Sequence, residues 1–321
     1  MMAEKIAAGW DGGGTKTKFT LAREDGAIIG TYTAGTCHYL QCGYDGAAGI
    51  IREGIDAVLE KGSDTENRKL QLRDAAQIFI GCAGYGDVQE DTRRLDEVLA
   101  KAISVPFTIG NDCENAHAGA LAGKAGINLI AGTGSMGYGV NERGETARCG
   151  GWHHALGSDE GGGYWMGWRL LREFMRQSDG RDAKTALYDR IRESLSLRTD
   201  DQLIGLVVEQ WGMDRTKIAS LAPLVQELLA AGDPHAETIV LDAAQELFDI
   251  ARALRDRLGF GGRVPVSGTG SIFKIGAPLL DPLAEKLAAD GMVYTPLVYE
   301  PDLGAVLLAM KQDGLTSFHF G

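Results

Sequence analysis

The chain is short of positive charge. Its 32 lysines and arginines stand against 44 aspartates and glutamates, a formal net charge of −12. A general nucleic-acid binder or an anionic-membrane binder needs a basic face, so both classes are disfavoured, while a local basic pocket stays compatible with the balance. Long apolar runs are missing as well: none approaches the roughly 20 residues that span a bilayer, and Met1-Met2-Ala3-Glu4-Lys5 carries no signal-peptide pattern. A cytoplasmic protein without nucleic-acid or membrane partners is the expectation. Cysteine is scarce and patternless. Cys37, Cys42, Cys82, Cys113 and Cys149 form an odd set with no C-x-x-C pair, which argues against a disulfide framework and a zinc knuckle and leaves reduced thiols as the default. The P-loop pattern G-x-x-x-x-G-K-[ST] is also absent, which removes the commonest class of nucleotide hydrolase.

What the chain does have is glycine in recurring turns. Gly9-Trp10-Asp11-Gly12-Gly13-Gly14-Thr15-Lys16-Thr17-Lys18 places a triple glycine behind an acid, between a short strand at Lys5 to Ala8 and an alternating one at Thr17 to Ala22. Such a hairpin lets backbone amides approach an anion, for which phosphate is the natural guest, and Asp11 beside phosphates makes electrostatic sense mainly with a divalent cation between them. A purely conformational turn is the competing reading. A third strand follows at Gly26 to Thr33, then a polar loop at Ala34 to Leu40 that either lines a cleft or simply connects. A helix is expected through Ile50, Ile51, Ile55, Val58 and Leu59, ending before Gly62, then strands at Gln77 to Gly84 and Val105 to Ile109 flanking a helix around Leu95 to Ala102.

A chain of 321 residues exceeds one ordinary core, so two lobes are expected. The second starts near Asn111 and repeats the plan: Ile127 to Ala131 enters Gly132-Thr133-Gly134-Ser135, and Met136 to Val140 leaves as a strand. From Gly161 to about Leu258 the pattern is helical, with Val240, Ala243, Ala244, Leu247, Ala251, Leu254 and Leu258 on one stripe and Gly259 as its stop. A third glycine turn, Gly268-Thr269-Gly270-Ser271, precedes a helix at Leu279 to Ala289, a strand at Met292 to Leu297 and a final helix at Leu303 to Lys311.

Several motifs have bland competitors. Gly132-Thr133-Gly134-Ser135-Met136-Gly137 matches G-x-G-x-x-G, but a dinucleotide turn must open a helix, whereas Tyr138 to Gly144 reads as a strand running into a β-turn. Asp112 either caps the small-residue helix Asn115 to Ala122 or serves as a general base. Cys149 to Trp165 combines Asp159, Glu160, glycines and indoles, the mixture a carbohydrate site uses. Adjacent Asp159 and Glu160 are poorly placed to face each other across one bond, which disfavours a glycosidase. His153-His154 suggests a metal only weakly, because neighbouring histidines are expected to point apart.

Taken in order, these pieces resemble the N-acetylglucosamine kinase branch of the BadF/BadG/BcrA/BcrD ATPases, within the sugar kinase/Hsp70/actin superfamily. The matching stretches are Asp11-Gly12-Gly13-Gly14-Thr15-Lys16-Thr17, Asn111-Asp112, Gly132-Thr133-Gly134-Ser135, Gly150-Gly151-Trp152 through Gly161, and Ser267-Gly268-Thr269-Gly270-Ser271, which together cover nearly the whole chain. The resemblance implies an α/β protein of two ribonuclease-H-like lobes (the actin-like ATPase fold) with an interdomain cleft and a helical insertion in the second lobe. The N-terminal lobe would span 1–110 and be completed by a C-terminal helix at 303–315. The second lobe would span 111–302, with its helical segment at 161–258.

The resemblance further implies ATP and Mg²⁺ as cofactors and transfer of phosphate to the 6-hydroxyl of an amino sugar. N-acetylglucosamine comes first, with glucosamine or N-acetylmuramate as alternatives. Asp112 would be the base. Gly12, Gly13, Gly14, Thr15, Lys16, Thr133, Gly134 and Ser135 would hold the phosphates, and Gly268, Thr269 and Gly270 the adenosine. Thr36, His38, Asn111, Asp112, Gly151, Trp152, Asp159 and Glu160 would hold the sugar, and Asp11 the Mg²⁺ through water. Thr36-Cys37-His38 stands where relatives often carry an Asn that contacts the sugar, a departure that bears on the 2-substituent.

A more remote alternative is an ATPase activator of a 2-hydroxyacyl-CoA dehydratase, which needs cysteines at a helix end on a dimer axis; Cys113 and Cys149 fall inside the sugar-site motifs instead. A sugar-responsive repressor would need a DNA-binding helix-turn-helix, for which the first strand, starting by Ile6, leaves no room. A homodimer is the expected assembly.

Overall fold

Three strands of apolar and small residues open the chain. In the computed structural model, which describes residues 5–312 and Phe320, these are Ile6–Gly12 (β1), Lys16–Arg23 (β2) and Ile28–Gly35 (β3), paired antiparallel as a meander. Ala75–Cys82 (β4) and Thr108–Gly110 (β5) extend the sheet in parallel, giving the order β3-β2-β1-β4-β5. β1 lies centrally and is buried along almost its whole length, so it reads as an apolar run rather than an alternating strand.

Tyr39–Glu66 (α1) and Gln89–Ala102 (α2) bring Ile51, Ile55, Val58, Leu95 and Leu99 into one core with Trp10, Phe19 and Ile80. α1 is longer than the apolar spacing suggests. It passes through Gly62 and ends on Asn67, whose left-handed φ of 49° caps it. Gly62 is there because the helix lies close to the sheet: a Cβ would sit 2.9 Å from Leu70 Cδ1 and 3.1 Å from Leu21 Cδ1. A glycine demanded by packing thus imitated a stop signal.

The other face of the sheet is covered by the last helix, Pro301–Gln312 (α11), through Ala305, Val306, Ala309 and Met310 against Ala7, Ala22 and Phe79. α11 also packs on Asp112–Ala120 (α3). The approach is tight, since a Cβ on Gly304 would lie 2.0 Å from the Asn115 carbonyl oxygen. This first unit comprises the chain up to Lys124 and from Leu297 onward, so α3 belongs to it and the division falls past residue 110. Residues 1–4 and the 313–315 portion of the expected terminal helix lie outside the described residues.

The second unit, Ala125–Pro296, repeats the plan. Gly126–Ala131 (β6), Ser135–Val140 (β7) and Thr146–Gly150 (β8) form an antiparallel meander, and Val264–Thr269 (β9) and Met292–Tyr294 (β10) extend it in parallel, in the order β10-β9-β6-β7-β8. Between β8 and β9 lie Gly163–Ser178 (α4), Ala186–Ser194 (α5), Gln202–Ile204 (α6), Arg215–Ala219 (α7), Leu224–Ala230 (α8) and Pro234–Leu258 (α9). Ala277–Ala289 (α10) connects β9 to β10. The whole apolar stripe of α9 is buried, and Gly259 ends the helix with φ 57°.

Candidate active site

In the first unit, β1 ends at Gly12 and β2 begins at Lys16, so Gly13 to Thr15 form the turn, closed by Gly13 N donating to Lys16 O at 3.0 Å. Two side chains hold it through its carbonyls. Thr36 Oγ1 donates to Gly13 O at 2.8 Å and Gln41 Nε2 donates to Gly14 O at 2.9 Å. Gly14, Thr15 and Lys16 are exposed.

Asp11, one residue before the end of β1, is half-buried. Burial pushes its carboxyl up to about 6, against the hydrogen bond from Asn115 and the charges of Lys16 and Lys18, while Asp302 adds to the rise. Asn115 Nδ2 donates both to Asp11 Oδ1 at 3.1 Å and to Trp10 O at 3.2 Å. Asp302, buried in the first turn of α11, accepts from Thr20 Oγ1 at 2.7 Å and pairs with Lys18 Nζ at 3.0 Å.

Asn111, not Asp112, caps α3. Its Oδ1 accepts from Cys113 N at 3.2 Å, Glu114 Oε1 accepts from Asn111 N at 2.9 Å, and its Nδ2 donates to Tyr85 O at 2.6 Å. Asp112 is therefore the first helical residue, half-buried, and the capping alternative for it is set aside. Asn115 follows three positions later on the same side of the helix, which links the Asp112 segment to Asp11. His38 caps α1, its Nδ1 accepting from Leu40 N at 3.2 Å, and its own N donates to Thr36 Oγ1 at 3.0 Å. Thr36 and His38 thus sit against the first glycine turn.

The second glycine turn is built differently. Gly132 N donates to Gly134 O at 2.9 Å, and the chain continues into β7 rather than a helix, so the formal G-x-G-x-x-G is not a dinucleotide turn. The start of α4 clasps it, Gly163 N donating to Gly132 O and Tyr164 N to Thr133 O, both at 2.8 Å. Ser135 Oγ donates to Glu160 O at 2.6 Å and Ser135 N to Asp159 Oδ1 at 3.3 Å.

Asp159 is buried and holds a φ of 77°, uncommon for a residue with a side chain. Its Oδ2 accepts from Arg215 Nε at 3.0 Å and Nη2 at 2.8 Å. The pair leaves no room beside Gly134, where a Cβ would lie 2.0 Å from Arg215 Nη2 and 2.4 Å from Asp159 Oδ1.

Two cavities open in the second unit. One, of about 360 Å³, starts at Gly132 and Thr133 and is walled by Thr216, Ser220 and Gln226 on one side and by Ser271, Ile272 and Lys274 on the other. Gly268, Thr269 and Gly270 are not in its lining. Thr269 Oγ1 instead donates to Asn128 Oδ1 at 2.7 Å within the sheet, and Gly270 turns the chain at φ 111°. The other cavity, of about 470 Å³, is lined by Trp152, Leu156, Glu160, Glu246, Asp249 and Ile250 among others. Trp152 and Leu156 are 78% and 77% exposed, large apolar groups left at its rim. Burial first, then Glu160, Asp249 and Asp242, raise the Glu246 carboxyl above its ordinary range. Gly151 adjoins this cavity in sequence at φ 69°.

His153 and His154 do not point apart: their ring centroids are 4.2 Å from each other. The positive φ of His153, 109°, turns the chain so that the rings meet. Among the described residues no group of three or more histidines, cysteines or acids could hold a metal.

Sequence reasoning missed Asn115, Asp302 and Arg215. Each acts across a long separation, 104 residues for Asn115 to Asp11, 282 for Thr20 to Asp302 and 56 for Arg215 to Asp159.

The profile of the BadF/BadG/BcrA/BcrD ATPase family matches residues 8–309. The chain belongs to this family. As a BadF/BadG/BcrA/BcrD-type ATPase it is 30% identical, over 97% of its own length and 99% of the other, to an N-acetyl-D-glucosamine kinase of Dictyostelium discoideum. It is also 30% identical, over 83% of its length and 84% of the other, to an N-acetylmuramic acid/N-acetylglucosamine kinase of Clostridium acetobutylicum. A crystal structure of a candidate N-acetylglucosamine kinase from Chromobacterium violaceum superposes with a TM-score of 0.75, covering 95% of this chain and 99% of that one at 24% identity. That likeness establishes the two-lobe sugar-kinase fold, to which both five-stranded mixed sheets conform.

Proposed function

We propose that the chain is an ATP-dependent kinase that phosphorylates an amino sugar at its 6-hydroxyl, with N-acetylglucosamine as the first candidate and glucosamine or N-acetylmuramate as alternatives. The observation that carries this reading is a glycine turn in the second unit that lines one cavity and is tied by a hydrogen bond to the edge of a second. The turn opens on one side into a space of nucleoside size and is tied through Ser135 to Asp159 and Glu160, the latter at the edge of an aromatic and acidic space suited to a sugar. An indole can cover the C–H face of a pyranose while carboxylates accept from its hydroxyls. Family membership and relatives that act on N-acetylglucosamine support the same choice.

In this reading Thr133, Gly134 and Ser135 hold phosphate oxygens, as do the amides of Gly12 to Thr15 with Lys16. Asp112 takes the proton of the attacking hydroxyl, and the transferred group needs alignment and charge neutralisation more than covalent help. The adenosine moiety is assigned to the cavity between α7 and Ser271 to Ile275, with Gly270 as the turn that delivers that loop. Trp152 and Glu160 contact the sugar.

Mg²⁺ fits the donor set around Asp11. The carboxyl is raised by burial and by Asp302, and the buried Asn115 Oδ1 has no hydrogen-bond partner among the described residues. A dication bound mostly by phosphate and water, with Asp11 behind the water, would relieve both. When bound it supplies charge neutralisation on the phosphate oxygens.

The test is ADP release with N-acetylglucosamine, glucosamine, N-acetylmuramate and glucose, run on the parent and on Asp112→Asn. Asp112→Asn is expected to lower kcat by about 10²- to 10⁴-fold with nucleotide binding retained. Equal turnover would remove Asp112 from the base role, and no ADP release with any hexosamine would overturn the kinase reading itself.

A further inference from the structure

We propose that Arg215 is a phosphate-binding residue of this site, held ready by Asp159 against the second glycine turn; the assignment rests on the nucleotide reading above. The guanidinium lies beside Gly134, so close that a Cβ there would sit 2.0 Å from Arg215 Nη2 and would displace it. Asp159 fixes the Nε and Nη2 arm, while Nη1 is engaged by no described residue and the side chain is 39% exposed. A guanidinium presents five donors in a rigid fork, and its planar geometry suits phosphate oxygens. The next residue, Thr216, lines the 360 Å³ cavity together with Thr133. A nucleotide seated there with its tail at the Thr133–Gly134 turn would carry its terminal phosphates past the open arm of Arg215.

The partner explains why the arginine is held in place. Asp159 is nearly fully buried, and its Oδ1 accepts from Ser135 N. The carboxylate therefore orients two phosphate-facing elements at once, the turn and the guanidinium. Asp159 does this from a left-handed backbone conformation, φ 77°, uncommon for a residue with a side chain. Asp159 thereby serves the phosphate side through Arg215 as well.

A residue that merely clamps the turn and a residue that binds terminal phosphates predict different ligand dependence. The experiment measures dissociation constants of ATP, ADP and AMP by calorimetry for the parent, Arg215→Gln and Arg215→Lys. Arg215→Gln keeps a donor to Asp159 and avoids leaving that buried carboxylate alone, which would threaten folding. Arg215→Gln is expected to weaken ATP by about 10- to 100-fold while AMP stays within about 2-fold, and Arg215→Lys to recover part of the ATP loss. Equal loss of AMP and ATP, unchanged ATP binding in Arg215→Gln, or no recovery in Arg215→Lys would overturn the assignment while leaving the kinase reading intact. A parent that binds none of the three nucleotides would overturn both.

Discussion

In the first unit the glycine turn hangs from its carbonyl oxygens, Thr36 and Gln41 each donating to one, while its exposed residues have space around them. In the second unit the equivalent turn is pressed between the start of α4, a buried aspartate and an arginine. The two sheets share one strand order, so topology delivers both turns to the same place in their units. What differs is the local chemistry. The first unit surrounds its turn with carboxylates, Asp11 and Asp302, and lysines. The second neutralises its acid with an arginine and opens cavities instead. The two units thus share one scaffold, and side chains from distant segments give its two turns different surroundings.

The largest consequence expected from this contrast concerns Asp11. Its folded value of about 6 exceeds the ordinary 3.8, so the neutral carboxyl favours the folded state. That stabilisation is fully present below about pH 4 and is lost as pH rises through about 6, by at most about 3 kcal/mol. Asp11→Asn has no charge to bury. Without divalent cations, its thermal stability should gain on the parent's as pH is raised from 4 to 7. Mg²⁺ with ATP should narrow the gap by favouring the parent's ionised form. Parallel stability profiles for the two proteins would break the contrast, since Asp11 would then be no more burdened than an acid already paired.

Both glycine turns and the strands that flank them were legible because hairpin signals are local: glycines between an apolar run and an alternating one define them within about ten residues. The stripe of α9 was legible for the same reason, its apolar period lying within one segment. What the chain hid were the contacts that tune the turns. Asn115 sits in a small-residue helix where nothing distinguishes it, and Asp302 is one acid in a terminal helix. Arg215 lies in a charged stretch that reads as solvated surface. Their roles exist only once α3, α11 and α7 have packed. Gly62 misled for the converse reason, because a close approach and a helix end ask for the same residue.

A direct comparison of the two turns comes from adding one methyl group to each. In Gly134→Ala the new Cβ meets Arg215 Nη2 and Asp159 Oδ1 well inside contact distance, whereas in Gly14→Ala the nearest atom, Gln41 Nε2, is 3.8 Å away. Overpacking of the clamped turn should cost about 1–3 kcal/mol, visible as a lower melting temperature and weaker ATP binding. Gly14→Ala should move neither by a measurable amount. Equal sensitivity would mean that the openness of the first turn is lost when ligand binds.

A smaller effect than that of Gly134→Ala should come from removing the hydroxyl that ties the first turn to the His38 loop. Thr36→Val keeps the β-branched shape and hence the local backbone preference, but it deletes the Oγ1 that donates to Gly13 O and accepts from His38 N. One neutral hydrogen bond of this kind is worth about 1 kcal/mol, so the KM for ATP should rise by only about 2- to 5-fold with kcat nearly constant. Because the same oxygen joins the turn to the His38 loop, the KM for the sugar should rise alongside. An effect on ATP with the sugar constant untouched would show that the loop does not report on the turn. The first unit would then hold its glycines by two independent tethers rather than by one connected brace.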